Sequence, residues 1–290
     1  MIYVCLTIVV PPEEIDPESV GELLLEAGAG SIECLEPPGT LRVFLEESAK
    51  PGICELVAHL TGTITRCDPI HPQNWVALCP DLQRPLSVGG FTIVPHASGA
   101  GVEPKSGIIN IIPGMGFGTG HHDTTYALIE MLGRLSQRGE RPQTIVDVGT
   151  GSGILAIAAA MLFPDASVIA TDIDEAALEN ARENSALNGL SSRIDLMHTS
   201  IPPLPAPATI VIANLYAELL IELREELLSL TAPGGCLLLS GIMVKRDPAI
   251  EEAFKKLPLS LVNRWESPAG RTDEEPGRRW VARWYLRDSE

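Results

Sequence analysis

Ile2–Val10 is an almost unbroken apolar run, which predicts a strand. Pro17–Ala27 sets Val20, Leu23, Leu24 and Ala27 at helical spacing, and Gly28 and Gly30 end the run. Ser31–Glu36 and Leu41–Glu46 read as strands parted by the turn residues Pro37, Pro38 and Gly39. Ile53–Leu60 reads as a helix and Thr61–Cys67 as a β-branched strand. The resulting βαββαβ order over residues 1–70 predicts a ferredoxin-like α+β domain. That fold hosts many functions and names none.

Residues 71–107 read as a linker. Pro72, Pro80 and Pro85 break any long element, and only Phe91–Val94 has the pattern of a short strand. Residues 108–290 read as a second domain. Ile108–Ile112 is a strand and Asp123–Gln137 a helix. From Thr144 on, the two periodicities alternate. Strands fall at Ile145–Val148, Val168–Asp172, Ile194–His198, Ile210–Asn214 and Cys236–Ser240. Helices fall at Ile154–Phe163, Glu175–Asn188, Ala217–Leu230 and Pro248–Leu257. This predicts a doubly wound α/β sheet with parallel strands. Leu259–Trp265 and Trp280–Leu286 close it as a hairpin around a polar, mobile loop, Ser267–Arg279.

A length of 290 residues suits two domains, with 45% hydrophobic and 20% charged residues supporting ordinary cores. No apolar run is long enough to span a membrane. Met1 leads straight into a strand-like run with no basic segment, which is not a secretory leader. Six cysteines (Cys5, Cys34, Cys54, Cys67, Cys79 and Cys236) lack C-x-x-C spacing, which predicts a reduced, cytoplasmic, metal-free protein. The net charge is −17, with 13 acids against 4 bases in residues 1–95 and 25 against 17 thereafter. Such a surface repels phosphate backbones, which argues against extensive nucleic-acid binding, and it would steer a basic partner.

Chemistry concentrates in TIVDVGTGSGILAIAAAMLFPDASVIATDID, Thr144–Asp174. A strand ends in Asp147, glycines follow at Gly149, Gly151 and Gly153, a helix follows them, and a second strand delivers Asp172. In a βαβ unit this order places a nucleoside-type ligand over the strand ends, with the acid facing two ribose hydroxyls. The dinucleotide fingerprint G-x-G-x-x-G/A fails, because Ile154 stands at its last position. A pyrophosphate cofactor is therefore disfavoured, and D-x-G-x-G-x-G resembles motif I of class I methyltransferases, which bind S-adenosylmethionine.

Two further segments join it. In GMGFGTGHHDTT, Gly114–Thr125, glycines precede a helix whose first turn carries Thr124 and Thr125, with Asp123 or Thr124 as N-cap. One of His121 and His122 could serve as a base, while adjacent histidines with no third ligand argue against a metal. In IVIANLY, Asn214 ends the fourth parallel strand, where an amide carbonyl can accept from a substrate N–H. Amino-methyltransferases carry [N/D]-P-P-[Y/F] there; N-L-Y-A lacks the prolines.

Taken in order, GMGFGTGHHDTT, DVGTGSGILAIAA, TDID, ANLYAEL and PGGCLLLSGI resemble the ribosomal protein methyltransferase A (PrmA) family over residues 108–245. The resemblance implies S-adenosylmethionine as cofactor, S-adenosylhomocysteine as product and no metal. It implies cofactor contacts at Thr125, Gly149, Thr150, Gly151, Asp172 and Asn214, with Asn214 also catalytic. It implies methylation of lysine ε-amines and a terminal α-amine of ribosomal protein L11 before ribosome assembly, by a cytoplasmic monomer whose residues 1–70 recognise the substrate. Three alternatives remain: the same chemistry on another protein lysine or a small amine, an NAD-dependent oxidoreductase, and a non-catalytic binding module.

Overall fold

The computed structural model describes residues 3–11, 20–21, 23–24, 27–35, 39–60, 62–70, 85–96, 99, 101–113, 122–268 and 279–289. The chain divides into two compact units, Met1–Trp75 and Val76–Glu290.

In the first unit β1 (Tyr3–Val9), β2 (Ala29–Leu35), β3 (Thr40–Glu46) and β4 (Thr63–Ile70) form an antiparallel sheet in the order β2-β3-β1-β4. Alternate residues Val4, Leu6 and Ile8 of β1 and Leu41, Val43 and Leu45 of β3 point to one buried face, as period two requires. Ile53 and Val57 of α1 (Lys50–His59), four apart on one helix face, pack onto it. Val20, Gly21, Leu23 and Leu24 are helical, and Val20 and Leu24 join the same core; the rest of the helix expected over Pro17–Ala27 lies largely outside the described residues. The unit is ferredoxin-like.

The second unit holds a seven-stranded sheet in the order β10-β9-β8-β11-β12-β14-β13. Its strands are β8 (Thr144–Val148), β9 (Ser167–Asp172), β10 (Ile194–His198), β11 (Ala208–Asn214), β12 (Thr231–Met243), β13 (Leu259–Glu266) and β14 (Trp280–Arg287). β8 to β12 run parallel, while β14 pairs antiparallel with both β12 and β13. One face is covered by α2 (Asp123–Gln137) and α3 (Ile154–Leu162). The other carries α5 (Ala217–Glu222), α6 (Arg224–Leu230) and α7 (Asp247–Phe254). α4 (Glu175–Leu187) follows β9. α3 is buried along most of its length, which explains why ILAIAAAML is apolar all round. No helix among the described residues is long and apolar enough to cross a membrane.

Two elements differ from the sequence reading. The single helix expected over Ala217–Leu230 is broken at Leu223, where the Arg224 guanidinium takes the Ile221 carbonyl at 2.7 Å. The stretch read as linker contains β5 (Leu86–Val88) and β6 (Phe91–Pro95), which form a three-stranded sheet with β7 (Ile108–Ile111). Gly89 and Gly90, at φ +58° and +89°, make the tight β5–β6 turn. A Cβ on Gly89 would stand 2.7 Å from the Ile129 carbonyl oxygen, so the turn lies against α2 only because it lacks one. Val88, Phe91, Ile93, Ile109 and Ile111 all enter the core beneath α2 and α3. Pro85, Gly89 and Gly90 here punctuate a small sheet, while Pro72 and Pro80 lie outside the described residues. Most of the loop expected over Ser267–Arg279 lies outside the described residues.

Candidate active site

The sheet reverses its strand order at β8, which has β9 on one side and β11 on the other. Open α/β sheets hold ligands outside the strand C-termini at such a point. Of the residues singled out in the sequence, Thr125, Gly149, Thr150, Gly151, Asp172 and Asn214 lie there.

One residue before the end of β8 stands the fully buried Asp147, whose Oδ2 accepts from Thr150 Oγ1 at 2.6 Å. Burial pushes this carboxyl up to about 7, against the bonds from Thr150 and the Ala156 amide, with the neighbouring Asp172 charge adding to the rise. The loop above it turns through Gly149 at φ +71° and Gly153 at φ +81°. A Cβ on Gly149 would stand 2.5 Å from Leu215 Cδ2, and one on Gly153 3.1 Å from Ala181 Cβ. The loop is therefore pressed between the strand end at Leu215 and α4, in a conformation that side-chain-bearing residues resist. Its amides at Gly149 and Thr150 donate to the Thr171 carbonyl at 2.9 and 2.8 Å.

Asp172 ends β9. Its Oδ2 accepts from the Gly151 amide at 2.9 Å and its Oδ1 from the Asp174 amide at 3.0 Å. Both oxygens are fixed by backbone, and each keeps a lone pair for another donor. Asn214 ends β11, and its Nδ2 donates to Thr125 Oγ1, 3.3 Å away on the first turn of α2. Among the described residues nothing donates to Asn214 Oδ1. Gly241, at φ +86°, lets β12 pass beneath the next residue, since a Cβ there would lie 2.2 Å from the Leu215 carbonyl oxygen. Thr125, Asn214, Leu215, Gly149, Gly151 and Asp172 are thus linked in one contiguous set, with Thr125 fully buried behind it.

The N-cap of α2 corrects the sequence reading. It is neither Asp123 nor Thr124 but His122, whose Nδ1 accepts from the Thr124 amide at 3.3 Å and lies 2.7 Å from Thr124 Oγ1. The ring also meets Trp280 edge-on at 4.7 Å. His121 and residues 114–120 lie outside the described residues. Among the described residues no group of three metal-ligating side chains converges.

Three features escaped the sequence reading. Ile173 and Tyr216, just beyond Asp172 and Asn214, are 72% and 60% exposed, apolar surface left open at the mouth of the site. The third is a row of asparagines, Asn180, Asn184 and Asn188, on α4 and its C-cap. Their signal was visible as one poor helix former repeated every fourth residue.

A family profile for ribosomal protein L11 methyltransferase (PrmA) matches residues 43–269. The chain belongs to this family. A ribosomal protein L11 methyltransferase of Geobacter sp. (strain M21) is 43% identical over 155 residues, 52% of this chain and 50% of the relative. That of Geobacter sulfurreducens is 44% identical over 194 residues, 67% of this chain and 62% of the relative. The chain thus spans about half the length of the first of these curated relatives. The crystal structure of a ribosomal protein L11 methylase from Lactobacillus delbrueckii subsp. bulgaricus aligns with a TM-score of 0.56 at 34% identity, covering 69% of this chain and 95% of that one. In this member of the PrmA family Asp172 and the Oδ1 of Asn214 remain acceptors at the ends of β9 and β11.

Proposed function

We propose that this chain methylates ribosomal protein L11, using S-adenosylmethionine, at lysine ε-amines and a terminal α-amine. The observation that carries the reading is Asn214, at the C-terminal end of β11 beside the switch point, whose Nδ2 is held by Thr125 while no described residue donates to its Oδ1. Asp172 would take the ribose hydroxyls on its remaining lone pairs. Gly149, Thr150 and Gly151 would bring backbone against the cofactor, and Thr125 would close the side facing α2. When bound, S-adenosylmethionine supplies an electrophilic methyl group on a cationic sulfur.

The chain's own work is to present a neutral amine. A free lysine has a pKa of about 10.4, so the ammonium must shed its proton before it can attack. Asn214 Oδ1 accepts one amine hydrogen and so fixes the direction of the lone pair. The ring of Tyr216, two residues past Asn214, would displace water from the amine, which disfavours its charged form. Water can accept the proton, and no dedicated base is required. His122 keeps its Nδ1 occupied as a helix cap. Alignment of the lone pair is the main contribution. The first unit, dense in acidic residues, would select the basic substrate. The enzyme would act as a cytoplasmic monomer on L11 before ribosome assembly, without a metal.

Purified ribosomal protein L11, incubated with the enzyme and isotope-labelled S-adenosylmethionine, should gain labelled methyl groups by mass spectrometry. Labelling of small amines with L11 left unchanged would refute the substrate. Calorimetry should show binding of S-adenosylmethionine and none of NAD; the reverse would refute the cofactor.

A further inference from the structure

Asn184 belongs to a ladder. Asn188 Oδ1 accepts from the Asn110 amide at 2.8 Å, and its Nδ2 donates to the Asn110 carbonyl at 2.6 Å. One helical turn earlier, Asn184 Oδ1 accepts from the Ile112 amide at 2.6 Å, and its Nδ2 donates to the Ile112 carbonyl at 3.2 Å. Asn180 Nδ2 adds a bond to the same carbonyl at 3.0 Å. The spacing works because four residues of helix advance about 6 Å and two residues of strand about 6.6 Å. The amides of α4 thereby act as a strand on the edge of β7 that β6 leaves open.

The two main rungs differ in one respect. Asn184 Nδ2 also donates to the Ser152 carbonyl at 2.8 Å, inside the glycine loop. The third bond of Asn188 goes back into its own helix, to the Asn184 carbonyl at 2.8 Å. Each side chain makes three bonds, both are buried, and only Asn184 reaches the loop. Holding the Ser152 carbonyl fixes the peptides on either side of it. One of those leads back to Gly151, whose amide grips Asp172. The other leads to Gly153, whose amide donates to the Thr150 carbonyl at 2.9 Å.

We propose that Asn184 is a positioning residue for the cofactor loop, setting through the Ser152 carbonyl the geometry in which Gly151 and Asp172 receive the nucleoside. The inference rests on the reading of this loop as the S-adenosylmethionine site.

Asn188 supplies a matched control, with as many bonds and none to the loop. In Asn184→Ala, calorimetry below the melting temperature should show S-adenosylmethionine binding weakened about tenfold, the worth of one well-placed hydrogen bond. Asn188→Ala should stay within about twofold of the parent while losing a comparable amount of thermal stability. Amide hydrogen exchange at Gly151 and Gly153, followed without cofactor, should quicken in Asn184→Ala and not in Asn188→Ala. Equal effects of the two variants, or none from either, would overturn the proposal. If Asn184→Ala does not fold, Asn184→Asp takes its place. It keeps an acceptor for the Ile112 amide and turns a carboxylate on the Ser152 carbonyl. A parent protein that binds no S-adenosylmethionine would defeat the cofactor reading, and the exchange comparison would still decide the role of Asn184.

Discussion

Asp147 has no route to water, and its carboxyl is raised by burial to about 7, so it stays protonated over a range where the unfolded chain has released its proton. The sign is the reverse of that for a salt-bridged acid. Below about pH 4 both states hold the proton and nothing is lost. From there to about pH 7 the folded state binds more protons than the unfolded one, so stability falls as pH rises. The full loss is of order 4 kcal/mol. Asp147→Asn removes the titration and keeps the shape, so denaturant melts should lose this slope between about pH 4 and 7 and gain stability at pH 8. A slope unchanged in the variant would mean another group causes it. Asp172 is the opposite kind of acid, ordered by two amides and open on one side. Asp172→Ala should cost roughly 1.5–3 kcal/mol of S-adenosylmethionine affinity by calorimetry, the range for bonds to a charged group. Undiminished affinity in a folded variant would remove Asp172 from the site. Both acids were legible as strand-terminal residues around a glycine loop. The burial that raises Asp147 was not, because only the folded sheet creates it.

Between elements, two contacts matter most. β11 meets α2 through the Asn214–Thr125 bond, so Asn214→Ala should reduce the single-turnover methylation rate far more than cofactor affinity. A rate equal to the parent's would leave Asn214 as a strand-end residue and no more. α7 is tied to the closing hairpin by Asp247, which accepts from Arg283 at 2.6 Å and Arg264 at 2.8 Å. Burial works to raise this carboxyl, but the two guanidinium groups outweigh it and hold it below the usual range. Arg283 is almost wholly buried, and Arg283→Leu would leave Asp247 with Arg264 as its one guanidinium partner among the described residues, so it should lower unfolding free energy by about 1.5–3 kcal/mol, the range for a hydrogen bond to a charged group. A loss under about 1 kcal/mol in chemical denaturation would show that Arg264 alone satisfies Asp247. The parallel strands were readable because buried strands are apolar runs bounded by turn residues. β5 was not, since three residues carry no periodicity. The capping role of His122 was also hidden, because a ring nitrogen seldom does the work of a hydroxyl or carboxylate.

For the whole molecule, the division of labour between the two units is the strongest remaining claim, and the three-stranded sheet decides where to cut. A chain starting at Ile108, where the sequence suggested the second domain begins, would lose β5 and β6. β7 would lose its parallel partner, and the core would lose Val88, Phe91 and Ile93. At about 1.5–3 kcal/mol for each buried side chain, that is roughly 5–9 kcal/mol, comparable to the whole stability of a typical domain. Such a chain should fail to fold. One starting at Pro85 keeps the sheet, the asparagine ladder and the cofactor loop. It should bind S-adenosylmethionine like the full chain by calorimetry and yet lose methylation of ribosomal protein L11. The lost segment is the more densely acidic part of the chain, with 13 acids against 4 bases in residues 1–84. Attraction between that surface and a basic substrate is screened over about 10 Å at 0.1 M salt. KM of the full chain for L11 should therefore climb with salt while cofactor affinity holds steady. Full activity and selectivity in the shortened chain, or a KM indifferent to salt, would show that the first unit does not choose the substrate.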